Sequence, residues 1–180
     1  MKLKIWGWDK KERTMLRFLK SGDIFCFLLS ESTFALGLNK NMYGFGRIIA
    51  KVNLGHTAEI FNYFSHKPEI DENIIKTYGR AFRPIILSSY ILFDRKTIGD
   101  WRIIGKEEKY IHSGDDDVFF IWGDPSSPKK SNIYGKSSIA TKDDVNIYPY
   151  EVAETDKTIK NSLFTDKIIE EIIEFSKKSF

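Results

Sequence analysis

Apolar residues recur along the first two thirds of the chain in short runs that are typical of β-strands. Phe and Tyr stand among Ile, Leu and Val in these runs, and these residue types favour pleated surfaces. The run at residues 23–30 is apolar on both faces, which predicts a central strand, because an edge strand would expose one face to water. Further strands are predicted at residues 43–52, 58–64, 84–93, 101–104 and 118–122.

The end of the chain has the apolar spacing of a helix. Apolar residues recur at helical intervals over residues 163–175, Asp166 lies in the first turn, and Lys177 and Lys178 lie in the last turn. Acidic residues at the start of a helix and basic residues at its end complement the helix dipole. The pattern therefore predicts a C-terminal amphipathic helix that packs on the sheet.

Two shorter features complete the predicted order of elements. Asp9 and Glu12 have capping-box spacing, which predicts a short helix over residues 9–19. Residues 124–131 contain two Pro and three Ser and are predicted to form a loop. The whole pattern predicts an α+β fold: a strongly bent antiparallel sheet or a small SH3-like barrel with the C-terminal helix packed on it. We expect one domain over residues 1–180.

Composition and charge narrow the class of protein. The 180 residues are 42% hydrophobic and 29% charged, as in a globular protein, and the net charge of +3 is too small to imply nucleic-acid binding by itself. No run approaches the roughly 18 apolar residues that a membrane span needs. We expect a cytoplasmic protein with no membrane partner. The single cysteine, Cys26, lies in an apolar run and is expected to be a core residue.

The residues that could carry catalysis form no recognisable constellation. His56, His66 and His112 each stand beside turn-forming residues, and we expect all three in exposed loops. The sequence contains no HExxH, no paired Cys and no GxSxG. These observations argue against an enzyme and against a metal or other cofactor.

The segment Gly44-Phe45-Gly46-Arg47 has two interpretations. Glycines let a backbone approach an anion and Arg47 could bind it, but a dinucleotide site needs a third glycine and a following helix. Here the apolar run continues as a strand. We therefore predict that the glycines form a bulge or tight bend and that Arg47 pairs with a carboxylate such as Asp23.

Acidic residues are concentrated near the middle of the chain. Asp115, Asp116 and Asp117 follow one another in a predicted loop, and Glu107 and Glu108 precede them. The spacing does not match an EF-hand. The five carboxylates form either a solvated loop or a contact surface for a basic partner, whose association they would steer.

Several segments resemble the immunity protein 26 family of bacterial polymorphic toxin and contact-dependent inhibition systems. The resemblance rests on residues 18–25, 43–49, 59–65 and 99–105, whose order and approximate spacing match the family. It implies an α+β protein that binds a cognate toxin and catalyses no reaction. In this family the glycine segment looks structural, and the binding residues are expected outside the shared motifs. The partner is expected to be the C-terminal domain of a cytosol-acting toxin, with a nuclease as the first candidate.

Two other functions remain open at this stage. One is a small-barrel ribonuclease that uses Arg47 and a histidine, and the other is a nucleic-acid-binding barrel that uses exposed Phe and Tyr for base stacking. Growth effects separate the three classes. An immunity protein is harmless alone and rescues cells from its toxin, a ribonuclease is toxic alone, and a nucleic-acid binder retains DNA or RNA in a salt-dependent way.

Overall fold

Strands make up most of the regular structure in the computed structural model, which describes residues 1–29 and 41–163. In chain order they are β1 (Leu3–Ile5), β2 (Asp23–Leu28), β3 (Tyr43–Val52), β4 (Gly55–Ser65), β5 (Ile85–Leu87), β6 (Trp101–Glu107), β7 (Phe119–Asp124), β8 (Ser127–Asn132), β9 (Ser137–Ile139) and β10 (Ala153–Glu154). The α-helices are α1 (Glu72–Tyr78), α2 (Lys142–Ile147) and α3 (Asp156–Leu163). A 3-10 turn lies at Leu16–Phe18 and a π-helix at Tyr90–Arg95.

The strands form two sheets. The main sheet has the order β1-β6-β2-β3-β4-β5-β10, and the small sheet has the order β7-β8-β9. Neighbouring strands are antiparallel except β5 and β10, which are parallel. Within the described residues β1 and β10 are the edges of the main sheet and do not pair with each other. The α+β prediction is confirmed: the sheet is bent and open, and the alternative of a closed barrel is wrong.

Strand β2 is central, as its apolar pattern predicted. It lies between β3 and β6, and its side chains point alternately into two cores. Phe25 and Phe27 pack with Trp101 on one face, where the Phe27 and Trp101 rings stack at 4.2 Å. Ile24 and Cys26 are fully buried on the other face. Burial on both faces explains why this strand has no polar alternation.

Helices and loops cover the two faces of the main sheet. Leu92 and Phe93 of the π-helix and Ile159 of α3 are buried against the face that holds Phe25. Helix α1 covers the opposite face through Ile75. A helix near the chain end thus packs on the sheet, but the predicted apolar positions after Leu163 lie outside the described residues. No helix of the described segments is long and apolar enough to cross a membrane.

A third apolar cluster joins the two sheets. Ile49, Val52 and Ile86 of the main sheet pack with Val118, Phe120 and Ile133 from the region of the small sheet. The Thr57 hydroxyl of β4 also donates to the Ile133 carbonyl at 2.7 Å. The small sheet is therefore anchored on the main sheet by both apolar and polar contacts.

Three segments differ from the prediction. Residues 9–19 form only a 3-10 turn, because Asp94 accepts from the Leu16 amide at 3.0 Å and binds Arg13, which holds the segment against the π-helix. The strand predicted at residues 84–93 ends at Leu87, and the π-helix follows it. The predicted loop at 124–131 is mostly strand β8, because Asp124 accepts from Ser126 and closes a tight hairpin.

Candidate functional site

The two glycines of β3 let two aromatic rings pass directly over the strand. A Cβ on Gly44 would overlap the Phe27 ring, and a Cβ on Gly46 would overlap both the Phe25 ring and the Glu59 carbonyl. The pairing of β3 with β4 shifts register between these glycines. The structure therefore supports the bulge interpretation, in which Gly44 and Gly46 serve folding rather than anion binding.

Arg47 follows the bulge and binds two buried carboxylates. Its Nε donates to Glu59 at 2.7 Å, and its terminal nitrogens contact Glu59 and Glu107. Arg47 and Glu59 are direct partners in the β3–β4 register, so strand pairing itself brings them together. The Tyr110 ring lies 4.2 Å from the Arg47 guanidinium carbon. Burial alone would lower the pKa of Arg47, but the charges of Glu59 and Glu107 raise it.

Arg47 pairs with carboxylates as predicted, but its partners are Glu59 and Glu107 rather than Asp23. Asp23 instead accepts from the Lys20 amide at 2.8 Å and closes the turn before β2. Burial raises the pKa of Asp23, against the neighbouring charges of Lys106 and Lys11. Asp23 therefore serves the local turn rather than the ion pair.

A second arginine extends the network to the acidic loop. Arg80 donates to both carboxylate oxygens of Asp115, at 2.5 and 2.6 Å, and lies 3.2 Å from Glu59. The His112 Nε2 lies 2.9 Å from the same carboxylate, and the Tyr110 hydroxyl lies 2.7 Å from His112 Nδ1. Burial would raise the pKa of Asp115, but the contacts with Arg80 and His112 hold it below its ordinary value. We call Arg47, Glu59, Arg80, Glu107 and Asp115 the ion cluster.

The five acidic residues predicted to form one surface divide into two groups. Glu107 and Asp115 belong to the ion cluster, where their charges are balanced by arginines. Glu108, Asp116 and Asp117 are exposed. Glu108 lies 3.1 Å from Lys2, and Asp117 keeps 75% of its side chain exposed at 3.9 Å from Arg83. Only this second group can present carboxylates to a partner.

The prediction of exposed loop histidines is wrong for His56 and for the side chain of His112, whereas His66 lies in a loop and is partly exposed. His56 lies in β4 and is 1% exposed, His112 is held by the ion cluster, and His66 is partly buried near the Asn41 carbonyl. The His56 Nδ1 lies 3.1 Å from the Ser89 hydroxyl. Ser89 is fully buried, so this Ser-His contact cannot meet a substrate. Burial lowers the pKa of His56 to about 4.

Sequence reasoning missed Glu59, Arg80 and Tyr110. One signal was available, because Glu59 stands inside an apolar strand and a buried carboxylate there requires a cation. Arg80 gave no such signal, since it lies outside any periodic segment. The described residues contain no group of three or more His, Cys, Asp or Glu placed to hold a metal ion.

Comparison with known proteins identifies the family. Searches of curated proteins and of solved structures each found no significant match. The family model for immunity protein 26 matches residues 20–132, which contain β2 to β8, the glycine bulge and the ion cluster. This match covers well over half of the chain and agrees with the resemblance carried by residues 43–49 and 59–65. The chain therefore belongs to the immunity protein 26 family.

Proposed function

We propose that this protein binds the C-terminal domain of a cognate, cytosol-acting toxin, and that it neutralises the toxin without catalysing a reaction. Membership of the immunity protein family supports a toxin partner. We propose a nuclease as the toxin, and one cytoplasmic domain over residues 1–180 as the inhibitor. The observation that carries the proposal is the pair of exposed carboxylates, Asp116 and Asp117, directly after Asp115, whose own carboxylate is held by Arg80 and His112.

The loop that carries Asp116 and Asp117 is anchored by the residue before them, Asp115. Asp115 has a backbone φ of +62°, an unfavourable value for a residue with a side chain. Arg80 and His112 hold its carboxylate, and its carbonyl accepts from the Val118 amide at 3.0 Å. A loop that is already ordered loses little conformational freedom on binding. This favours Asp115 as the anchor of the loop, with Asp116 and Asp117 as its contacts.

A nuclease fits this loop electrostatically. An active site that holds phosphates must be basic, and a compact pair of exposed carboxylates is the complementary surface. Glu108 lies on the same connection between β6 and β7, but its contact with Lys2 at 3.1 Å leaves Asp116 and Asp117 as the exposed pair. Complementary charges of this kind act mainly on the rate of association.

The ion cluster argues against the alternative of a ribonuclease. A general base and a phosphate-binding arginine must be free to touch substrate. Arg47 contacts two carboxylates, Arg80 contacts two carboxylates, and Glu59 is 4% exposed. Each of these three groups is already bound to a neighbour of opposite charge. The arrangement supports a structural role for the cluster.

Co-expression tests the proposal. The C-terminal domain encoded by the adjacent upstream reading frame should stop growth, and this protein should restore growth while being harmless alone. Purified protein should bind a catalytically inactivated form of that domain and show no hydrolysis of RNA, DNA or nucleotides. Failure to protect cells would overturn the proposed function, as would RNA hydrolysis that a His112→Ala variant abolishes.

Charge removal tests the loop itself. Asp116→Asn combined with Asp117→Asn should leave the fold intact and slow association with the toxin domain roughly tenfold at low salt. The difference should shrink as salt rises, because screening weakens the same contact in the parent. Glu69→Gln combined with Asp143→Asn, two exposed sites elsewhere, removes the same charge and should change nothing. A double loop variant that associates as fast as the parent would exclude this loop from the interface.

A further inference from the structure

An open groove beside the edge of the main sheet collects five lysines. Lys4, Lys10, Lys11, Lys106 and Lys109 line it together with Trp6 and Glu108, and its volume is about 710 Å³. The lysines come from β1, from the turn after it and from the end of β6. Antiparallel pairing of β1 with β6 therefore builds the groove from two distant parts of the chain. We call it the basic groove.

The lysine charges in this groove are only partly balanced by carboxylates, because Asp23 is the partner of Lys106 across the β2–β6 pair and the charges of Lys106 and Lys11 act on its carboxyl group. Lys4 and Lys106 are direct partners across the β1–β6 pair, and like charges in that position destabilise a sheet. Across the two described segments, no carboxylate lies within 4 Å of any of the five lysine ammonium groups. Glu108, the carboxylate in the lining, is already 3.1 Å from Lys2. Two carboxylates, Asp23 and Glu108, thus stand against five lysines, and the groove keeps a net positive charge.

Backbone strain occurs at the same place. Lys109 has a φ of +56°, in the left-handed region that ordinarily favours glycine. Strain of this kind persists where the surrounding structure enforces it, and it concentrates at functional positions. At this position the strain turns the chain after β6 and brings a fifth lysine to the groove. A net positive charge and a strained backbone in one groove indicate that its lysines have a use outside the fold.

We propose that the basic groove binds an acidic surface of the toxin domain, away from the toxin's active site. This proposal rests on the proposed function and adds a second contact surface to it. The exposed carboxylates of the loop would meet the basic cleft, and the groove would meet an acidic flank. One acidic contact and one basic contact at separate places determine how the two proteins dock, because a wrong partner would place like charges together.

The lining favours a protein partner over a nucleic acid. Binding of single strands requires aromatic faces on which bases can stack. Trp6 is the aromatic residue of the groove, but its indole donates to the Ile103 carbonyl at 2.8 Å and its ring packs against the main core. The groove also lacks arginine, the residue that reads guanine in duplex DNA.

The position of the groove relative to the family match supports a role in partner choice. The match begins at residue 20, so Lys4, Lys10 and Lys11 lie outside it, whereas Lys106 and Lys109 lie inside. Immunity proteins against different toxins must differ where they touch them. The groove combines two lysines from the matched region with three from a segment outside it. Such a surface can differ between family members that bind different toxins.

Charge reversal with a matched control tests the groove. One variant carries Lys4→Glu, Lys10→Glu and Lys11→Glu, and the control carries Lys51→Glu, Lys67→Glu and Lys157→Glu at exposed sites elsewhere. Both variants change the net charge equally, so only the position of the charges differs. Each is measured against the inactivated toxin domain encoded by the adjacent reading frame, at about 50 mM and about 300 mM salt, where screening differs strongly.

The groove variant should bind the toxin domain at least tenfold more weakly at low salt, while the control binds like the parent and both melt no lower than the parent. If the groove variant binds like the parent, and the parent still protects cells, the proposal for the groove is wrong and the proposed function stands. A parent that binds no toxin domain would overturn the proposed function and the groove with it. Retention of a labelled 20-nucleotide DNA by the parent, lost in the groove variant, would replace the toxin surface with nucleic acid as the partner.

Discussion

The ion cluster and the basic groove contrast in how their charges are paired. In the ion cluster two arginines meet three carboxylates, and the side chains of Arg47 and Glu59 are only 13% and 5% exposed. In the basic groove five lysines meet two carboxylates, Asp23 across the β2–β6 pair and Glu108, which Lys2 already contacts. Both regions use the same strand, because Glu107 at the end of β6 belongs to the cluster and Lys106 beside it belongs to the groove.

The difference separates charges that serve the fold from charges that we propose for a partner. Buried charges that are balanced and hydrogen-bonded cost little to keep, but each becomes expensive when its partner is removed. Exposed charges that repel one another cost a little in the folded state and become favourable only when an opposite charge arrives. Removing cluster residues should therefore destabilise the protein, whereas removing groove residues should stabilise it and weaken binding.

The largest expected effect is that of Arg47→Ala. The substitution leaves Glu107 buried without its cation and removes one of two cations from Glu59, so we expect the free energy of unfolding to fall by about 3 to 5 kcal/mol. Urea denaturation measures the loss. Arg13→Ala removes an exposed arginine that also pairs with a carboxylate, and it should cost clearly less.

A second variant separates unbalanced charge from lost packing at this position. Arg47→Met combined with Glu107→Gln removes both charges of the pair and should recover part of the stability that Arg47→Ala loses. If Arg47→Ala unfolds in urea like the parent, the ion cluster does not stabilise the fold, and the contrast with the groove is lost.

The next largest expected effect concerns His56, a buried side chain whose protonated form is disfavoured by its burial. His56 has a pKa of about 4 in the folded protein and an ordinary pKa near 6.5 when unfolded. The unfolded state therefore binds more protons between these values. Stability is fully present above pH 6.5 and falls as the pH drops towards 4, by about 2 to 3 kcal/mol at about pH 4.5.

A His56→Gln variant provides the comparison for this pH dependence. Carboxylates of the fold also titrate in acid, so the measured quantity is the difference between parent and variant in urea stability at each pH. The parent should lose more stability than His56→Gln between about pH 7.5 and about pH 4.5. Parallel curves for the two proteins would mean that His56 accepts a proton in the folded state as readily as in the unfolded state.

Local patterns in the sequence predicted the framework of the fold but not the placement of its charges. The apolar runs predicted the bounds of β2 and β3 almost to the residue, because burial of one or both faces of a strand shows directly in the polarity of consecutive residues. The tight turn between β3 and β4 falls before Gly55 rather than after it, so His56 is a strand residue that points into the core. The strand begins three residues earlier than predicted, which converts a predicted loop histidine into a buried one.

The ion cluster could not be predicted in full because its members meet only in three dimensions. The Arg47–Glu59 pair follows from the register of one hairpin and was within reach of sequence reasoning. Asp115 meets Arg80 across 35 positions of sequence, and no local pattern relates them. The basic groove was hidden for the same reason, since Lys4 and Lys106 become neighbours only when β1 pairs with β6.

Within the acidic loop, the comparison predicts a smaller and asymmetric effect. Asp115→Asn weakens the contacts with Arg80 and His112 that hold the loop, so we expect a loss of about 1 to 2 kcal/mol in the free energy of unfolding. Asp116→Asn removes an exposed carboxylate and should leave thermal stability unchanged within error. If the two variants melt alike, Asp115 is not the anchor of the loop.

The smallest effect is expected at the groove and has the opposite sign. Lys4 faces Lys106 directly across an antiparallel pair, so Lys4→Glu replaces a repulsion with an attraction and should raise the free energy of unfolding by about 0.2 to 1 kcal/mol. Lys4→Gln removes only the repulsion and should fall between the variant and the parent. Because both groups are at the surface, the three proteins should converge at high salt. A Lys4→Glu protein less stable than the parent at low salt would mean that the groove lysines are already balanced within the fold, and the distinction between charges for folding and charges for binding would fail there.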